Sequence, residues 1–189
     1  GTPRQAAEGQ HQARQTLCTL ALEAIQGYEG TLQSVQDEGC LILFGAPVAQ
    51  EDHARRAVRA ALGLQQRVRS VPMDPAWPSG ATYTVRLGLH TGQLLLGSLG
   101  ADQRLTYTAV GDTTQHAAWL AQQAAPGTIL VSDATARLVY SEVRLEGGAP
   151  FPGLGATDPR AAYQVLGLGC VRAPRLGEGT RRRSRFVGG

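Results

Sequence analysis

The sequence predicts an α+β domain with a mostly antiparallel sheet and helices on one face, and three observations lead there. Two stretches carry apolar residues at helical spacing, two others read as pairs of short strands joined by turns, and the order along the chain is helix, hairpin, helix, hairpin, helix, strand. A chain of 189 residues suits one domain with tails, since domains cluster near roughly 100–150 residues. Hydrophobic content of 42% and charged content of 17% are those of a chain that can bury a core.

Residues 1–10 are small and polar and read as a loose lead-in to the domain, which runs over 11–170. From His11 to Gln26, Leu17, Leu20, Ala21, Ala24 and Ile25 recur at helical spacing, and Gly27 is placed to end the helix. Thr31 to Gln36 and Cys40 to Phe44 form the first hairpin, with Asp37-Glu38-Gly39 as an acidic turn whose glycine suits a positive φ. Gly45-Ala46-Pro47 breaks the second strand. Glu51 and Asp52 then place negative charge on the first turn of a helix reaching about Ser70. Its inward stripe is Ala54, Ala57, Val58, Ala61, Leu62 and Leu64, with its arginines mostly outside.

Val71 to Ala81, with three prolines and a glycine, reads as an exposed loop. Thr82 to His90 alternates as a strand, Thr91-Gly92 turns, and Gln93 to Leu99 supplies a second strand, so a second hairpin is expected here. Arg104 to Val110 is extended, Gly111-Asp112-Thr113 opens a helix over Thr114 to Ala124, and Pro126-Gly127 ends it. Thr128 to Ser132 is a strand, Asp133 caps a short helix to Tyr140, and Ala161 to Leu168 is the final strand.

Charge and cysteine usage narrow the function classes. The net charge is +3, but Arg181, Arg182, Arg183 and Arg185 supply four positive charges in the tail, leaving the body near −1. A short arginine run of this kind reads as a solvated linker, over 171–189, so no nucleic-acid partner is expected. All 18 basic residues are arginine; the chain contains no lysine. Cys18, Cys40 and Cys170 show neither metal-ligand spacing nor an even disulfide framework, and read as buried free thiols. No apolar run reaches membrane-spanning length and no leader pattern opens the chain, which fits a cytoplasmic protein with no membrane partner.

The words DEGCLILFGAP, EDHARRAVRAAL, VRLGLHTGQLLLGSLG, YTAVGDTTQHAAWL and APGTILVS, spread over about Tyr28 to Val139, closely resemble the class III adenylyl and guanylyl cyclase domain in order and spacing. The resemblance implies a ferredoxin-like core with extra elements, and a head-to-tail dimer, homodimer or heterodimer with another cyclase domain, whose sites lie between the chains. It also implies ATP as a ligand and two Mg²⁺ or Mn²⁺ ions held by two aspartates.

Residue by residue, the likeness fails at the chemistry. Where the family has Gly-Asp-Gly, this chain has Asp37-Glu38-Gly39, so Glu38 stands at the metal position with an extra methylene and Asp37 beside it. A displaced carboxylate is a poor substitute in a tight two-metal site, and a plain acidic turn without tightly bound metal is the competing reading. In the family the second metal aspartate belongs to a strand upstream of the first helix; nothing in residues 1–10 matches it, so that strand either precedes residue 1 or has been lost, and its loss would leave unpaired sheet edges. Ser34 stands at the position of the base-recognising lysine, and Thr108 at the second base-contact position, although a strand threonine more often serves β-propensity alone. Gln115 and Trp119 stand where the family carries the asparagine and arginine of the transition state, and an indole supplies no charge. Pro152 stands at the phosphate-gripping lysine.

Other eye-catching residues have plainer readings. His90 is framework, and His11, His53 and His116 are scattered without metal-ligand spacing. Gly92, Gly97 and Gly100 lie in a strand hairpin, which is the wrong context for a dinucleotide loop. Ser184-Arg185-Phe186-Val187-Gly188 is similar to the lead-in of an ATPase module that follows such domains in bacterial regulators. The expected function is therefore a catalytically degenerate cyclase homology domain, a dimerisation and regulatory module of a larger signalling protein. Two alternatives are an active adenylyl cyclase with a divergent two-metal site, and a partner subunit completing another cyclase's site. Trp119 is expected to face the dimer interface or the degenerate cleft.

Overall fold

The structure is a computed structural model that describes residues 3–36, 39–72, 82–99, 106–151 and 160–169, without the side chains of 3–13, 95–99, 106–110, 149–151 and 160. The turn residues Asp37 and Glu38, Pro152, and the tail with its ATPase-like lead-in lie outside the described residues. The elements in chain order are α1 (Pro3–Gln26), β1 (Thr31–Gln36), β2 (Gly39–Leu43), α2 (His53–Arg69), β3 (Leu87–Leu89) and β4 (Leu95–Leu99). They continue with β5 (Thr106–Val110), α3 (Asp112–Gln123), β6 (Ile129–Ser132), α4 (Asp133–Val139), β7 (Val143–Phe151) and β8 (Arg160–Leu168). None of the described helices is long and apolar enough to cross a membrane.

The α+β reading holds: antiparallel pairing dominates, with a β1-β2 hairpin, a four-stranded sheet ordered β3-β6-β8-β7 in which only β3 and β6 run parallel, and a β4-β5 hairpin. One refinement concerns the faces. Ile129 and Val131 of β6 pack with Ala54, Val58 and Ala61 of α2 and with Ala136 and Val139 of α4. The intervening Leu130 packs with Leu120 and Ala124 of α3. Successive strand side chains point to opposite faces, so α2 and α4 share one face and α3 covers the other. Both faces being covered, all four residues of β6 are buried.

The amphipathic stripe of α2 is close to expectation: Ala54, Val58, Ala61 and Leu64 are buried, joined by Ala60 and Val68. Val58, at 0% exposure, marks the centre, and burying one such side chain is worth roughly 1.5–3 kcal/mol. Ala21 and Ala24 of α1 meet Leu64 and Val68, so α1 and α2 lie side by side. Ion pairs fasten the exterior: Arg67 to Glu23 at 2.9 Å joins the two helices, and Arg55 and Arg59 reach Glu142 at 3.1 and 3.0 Å.

Several boundaries differ from expectation. The lead-in expected at 1–10 is helical from Pro3 on, because proline is tolerated in a first turn, where its missing N–H would have no partner. Asp52 precedes α2 rather than entering its first turn, and its carboxylate pairs with Arg56 at 2.8 Å instead of capping. Ser132, not Asp133, caps α4, its hydroxyl accepting the Thr135 N–H. The expected hairpin between Thr82–His90 and Gln93–Leu99 does not form: β3 pairs with β6, and β4 pairs with β5. Strand β7 was not expected, because Gly147, Gly148 and Pro150 disguise it; register shifts between Arg144 and Leu145 and between Gly147 and Pro150 absorb them.

Gly88 of β3 is required by packing. A Cβ there would lie 2.3 Å from the Ala117 carbonyl oxygen and 2.3 Å from the Ala121 nitrogen, so α3 rests on the strand backbone itself.

Candidate functional site

A cleft of about 1670 Å³ opens between β2 and β3, bordered by Leu41 to Leu43 on one side and Leu87 to Leu89 on the other and floored by α1 and α2. The edges of β2 and β3 that border it pair with no strand among the described residues. Its volume exceeds the roughly 300–1,000 Å³ of an ordinary small-molecule pocket.

The residues picked out by resemblance fall into three groups. Ser34 is half-buried on β1 opposite Leu41 and lines the cleft. Gln115 is exposed in the first turn of α3, its backbone N–H bonded to the Gly111 carbonyl at 3.3 Å, and also lines the cleft. Trp119, one helical turn on, does not line it. Its half-buried indole packs on Leu120, Ala124, Leu130 and Ala162 of its own protomer and meets the His116 ring edge-on at 5.8 Å. Trp119 thus stands outside the cleft between β2 and β3, and its indole is partly exposed. Thr108 stands opposite Gly97 in the β4-β5 ladder.

The carboxylates of Asp37 and Glu38 are hard oxygen donors of the kind Mg²⁺ and Mn²⁺ take. They are adjacent in sequence and lie outside the described residues, among which no group of three acidic, histidine or cysteine side chains gathers to hold a metal. No reaction step is derived through a metal centre.

Two clusters escaped sequence reasoning because each joins residues far apart in the chain. His90, at the end of β3, hydrogen-bonds Ser132 Oγ through Nδ1 at 2.8 Å and stacks on His116 at 4.2 Å between ring centroids. Thr91 Oγ1 and Thr135 Oγ1 are 2.9 Å apart, so the end of β3 is tied to the start of α4. This is the framework duty expected of His90. The second cluster is Cys18 of α1 and Cys40 of β2, with sulfurs 3.9 Å apart. Both thiols are half-buried rather than buried as expected, and burial together with the neighbouring Cys18 pushes the Cys40 thiol up to about 11.

A family profile for the adenylate and guanylate cyclase catalytic domain matches residues 35–157. Adenylate cyclase 1 of Rhizobium meliloti (strain 1021) is 34% identical over 101 residues, which are 53% of this chain and 15% of that protein. The chain thus spans under a fifth of this curated relative. Among solved structures, the guanylate cyclase domain of RhGC from Catenaria anguillulae in complex with GTP superposes with a TM-score of 0.71 at 22% identity, covering 82% of both chains. The adenylate/guanylate cyclase/hydrolase from Silicibacter pomeroyi gives 0.64 at 25% identity, covering 87% of this chain and 90% of that one.

Proposed function

The chain belongs to the adenylate and guanylate cyclase catalytic domain family, and we propose that within it this domain is a catalytically degenerate module that acts in dimerisation and regulation. The observation that carries this reading is Trp119. Where the resemblance implies an arginine reaching developing phosphate charge, this chain has an indole committed to its own protomer's apolar cluster. Removing one such electrostatic group costs on the order of 10²–10³ in rate. The losses go further: Gln115 replaces the asparagine, Ser34 and Pro152 replace the two lysines, and with no lysine in the sequence a second copy supplies none. Groups that act as a unit fail as a unit. The dimer itself, ATP as a residual ligand, and a cytoplasmic setting belong to the same proposal.

The test is a product assay with purified protein, carrying whatever precedes residue 1 in its parent chain, ATP or GTP, and Mn²⁺. No cyclic nucleotide above buffer is expected from either substrate. Measurable product that disappears in Glu38→Ala would show an active adenylyl or guanylyl cyclase with a divergent site and overturn the reading. Calorimetric titration with Mn²⁺ should give binding no tighter than millimolar; micromolar affinity would mean that Asp37 and Glu38 make a working metal site.

A further inference from the structure

Cys18 and Cys40 are separated by 22 positions in sequence, yet the fold brings their sulfurs to 3.9 Å. The approach is fixed by packing. Cys40 rests on the cluster formed by Ala21 and Ala24 of α1 with Leu64 and Val68 of α2, one helical turn beyond Cys18 on the α1 surface. A disulfide needs the sulfurs at about 2.05 Å, a closure that side-chain rotation and a small shift of one element can supply. Both sulfurs border the cleft between β2 and β3 and are half-buried, so a small reagent reaches them.

We propose that Cys18 and Cys40 are a redox modification site, a dithiol that a low-molecular-weight disulfide such as oxidised glutathione converts into an intramolecular disulfide. Cys40 holds its proton more tightly, so Cys18 is the attacking thiol. Its thiolate attacks one sulfur of the reagent, forming a mixed disulfide and releasing one glutathione thiolate, which takes up the Cys40 proton. The Cys40 sulfur then attacks Cys18 and releases the second glutathione. Two protein S–H bonds and one reagent S–S bond become one protein S–S bond and two reagent S–H bonds. The new bond fastens α1 to β2 directly after the turn that carries Asp37 and Glu38. Oxidation therefore ties the start of β2, two positions after Glu38 in sequence, to α1.

The full chain is equilibrated in glutathione buffers of rising oxidised fraction, alkylated and digested without reduction. No arginine lies between Arg14 and Arg55, so trypsin leaves both thiols on one peptide, whereas cleavage at Glu23, Glu29 and Glu38 separates them. The expected results are a linked pair in the glutamate digest, a fall from three titratable thiols to one, and a rise of several degrees in the thermal midpoint that reductant reverses. In Cys170→Ser no titratable thiol should remain after oxidation, and in Cys18→Ser the rise should vanish. Three free thiols in oxidising buffer, a link through Cys170, a covalent chain dimer, or a midpoint rise that survives Cys18→Ser would each overturn the proposal.

Discussion

The two sides of β3 differ sharply. On the β6 side, Ile129, Val131, Val139 and Val143 have exposures of 2% or less, and helices cover both faces. On the β2 side a cleft of about 1670 Å³ separates two strand edges, and no residue of β1 or β3 is fully buried. Stability therefore resides in the β6-β7-β8 half, while Ser34 belongs to the half with the looser packing. Substitution in the open half should alter function more readily than it unfolds the domain.

The first way to break this comparison is Ile129→Ala, at a site with 0% exposure. It should lower unfolding free energy by about 4 kcal/mol in denaturant titration, since deletion of a large buried aliphatic group leaves a cavity. A loss under about 1 kcal/mol would show that the core does not lie there. Next, Gly88→Ala should cost about 3 kcal/mol, because its Cβ would meet backbone atoms at 2.3 Å and α3 must lift. Thermal unfolding of the variant checks this, and an unchanged midpoint would mean that helix and strand are not in backbone contact. Across the cleft, Leu41→Ala should cost only about 1 kcal/mol, as its side chain already faces open space.

The smallest effect is alkaline. Cys40 keeps its proton up to about 11 in the folded chain, above its ordinary 9.0, because burial disfavours the thiolate. The unfolded chain thus loses this proton first as pH rises. The contribution is fully present below about 9 and is lost between there and about 11. Stability measured across that window should fall, less steeply in Cys40→Ala, and identical slopes would remove Cys40 from the account.

How much of this was legible in the sequence follows from the range of each signal. The β1-β2 hairpin and the α2 stripe are local patterns, and both were read within two residues or so. Thr82–His90 looked like half of a hairpin because its alternation is genuine, but only Leu87–Leu89 finds a partner, and that partner is β6, some 40 positions away. The glycines and Pro150 hid β7, since a bulged strand breaks the alternation that identifies strands. For the site, the resemblance located Ser34, Gln115 and Trp119 along the chain, but not the way in which Trp119 packs. Pairings such as His90 with His116, or Cys18 with Cys40, exist only once the chain is folded.

The contact at Gly88 has one more consequence. Where α3 is seated on the strand's bare backbone at Gly88, with no side chain between, main-chain atoms set its height. The outward residues of α3 are then passengers on a fixed mount. Exchanging the exposed Gln115 changes the chemistry presented at that surface while the contact at Gly88 holds the helix in place. A scaffold of this kind can lose a reaction and keep its shape, and shape is what a partner chain reads.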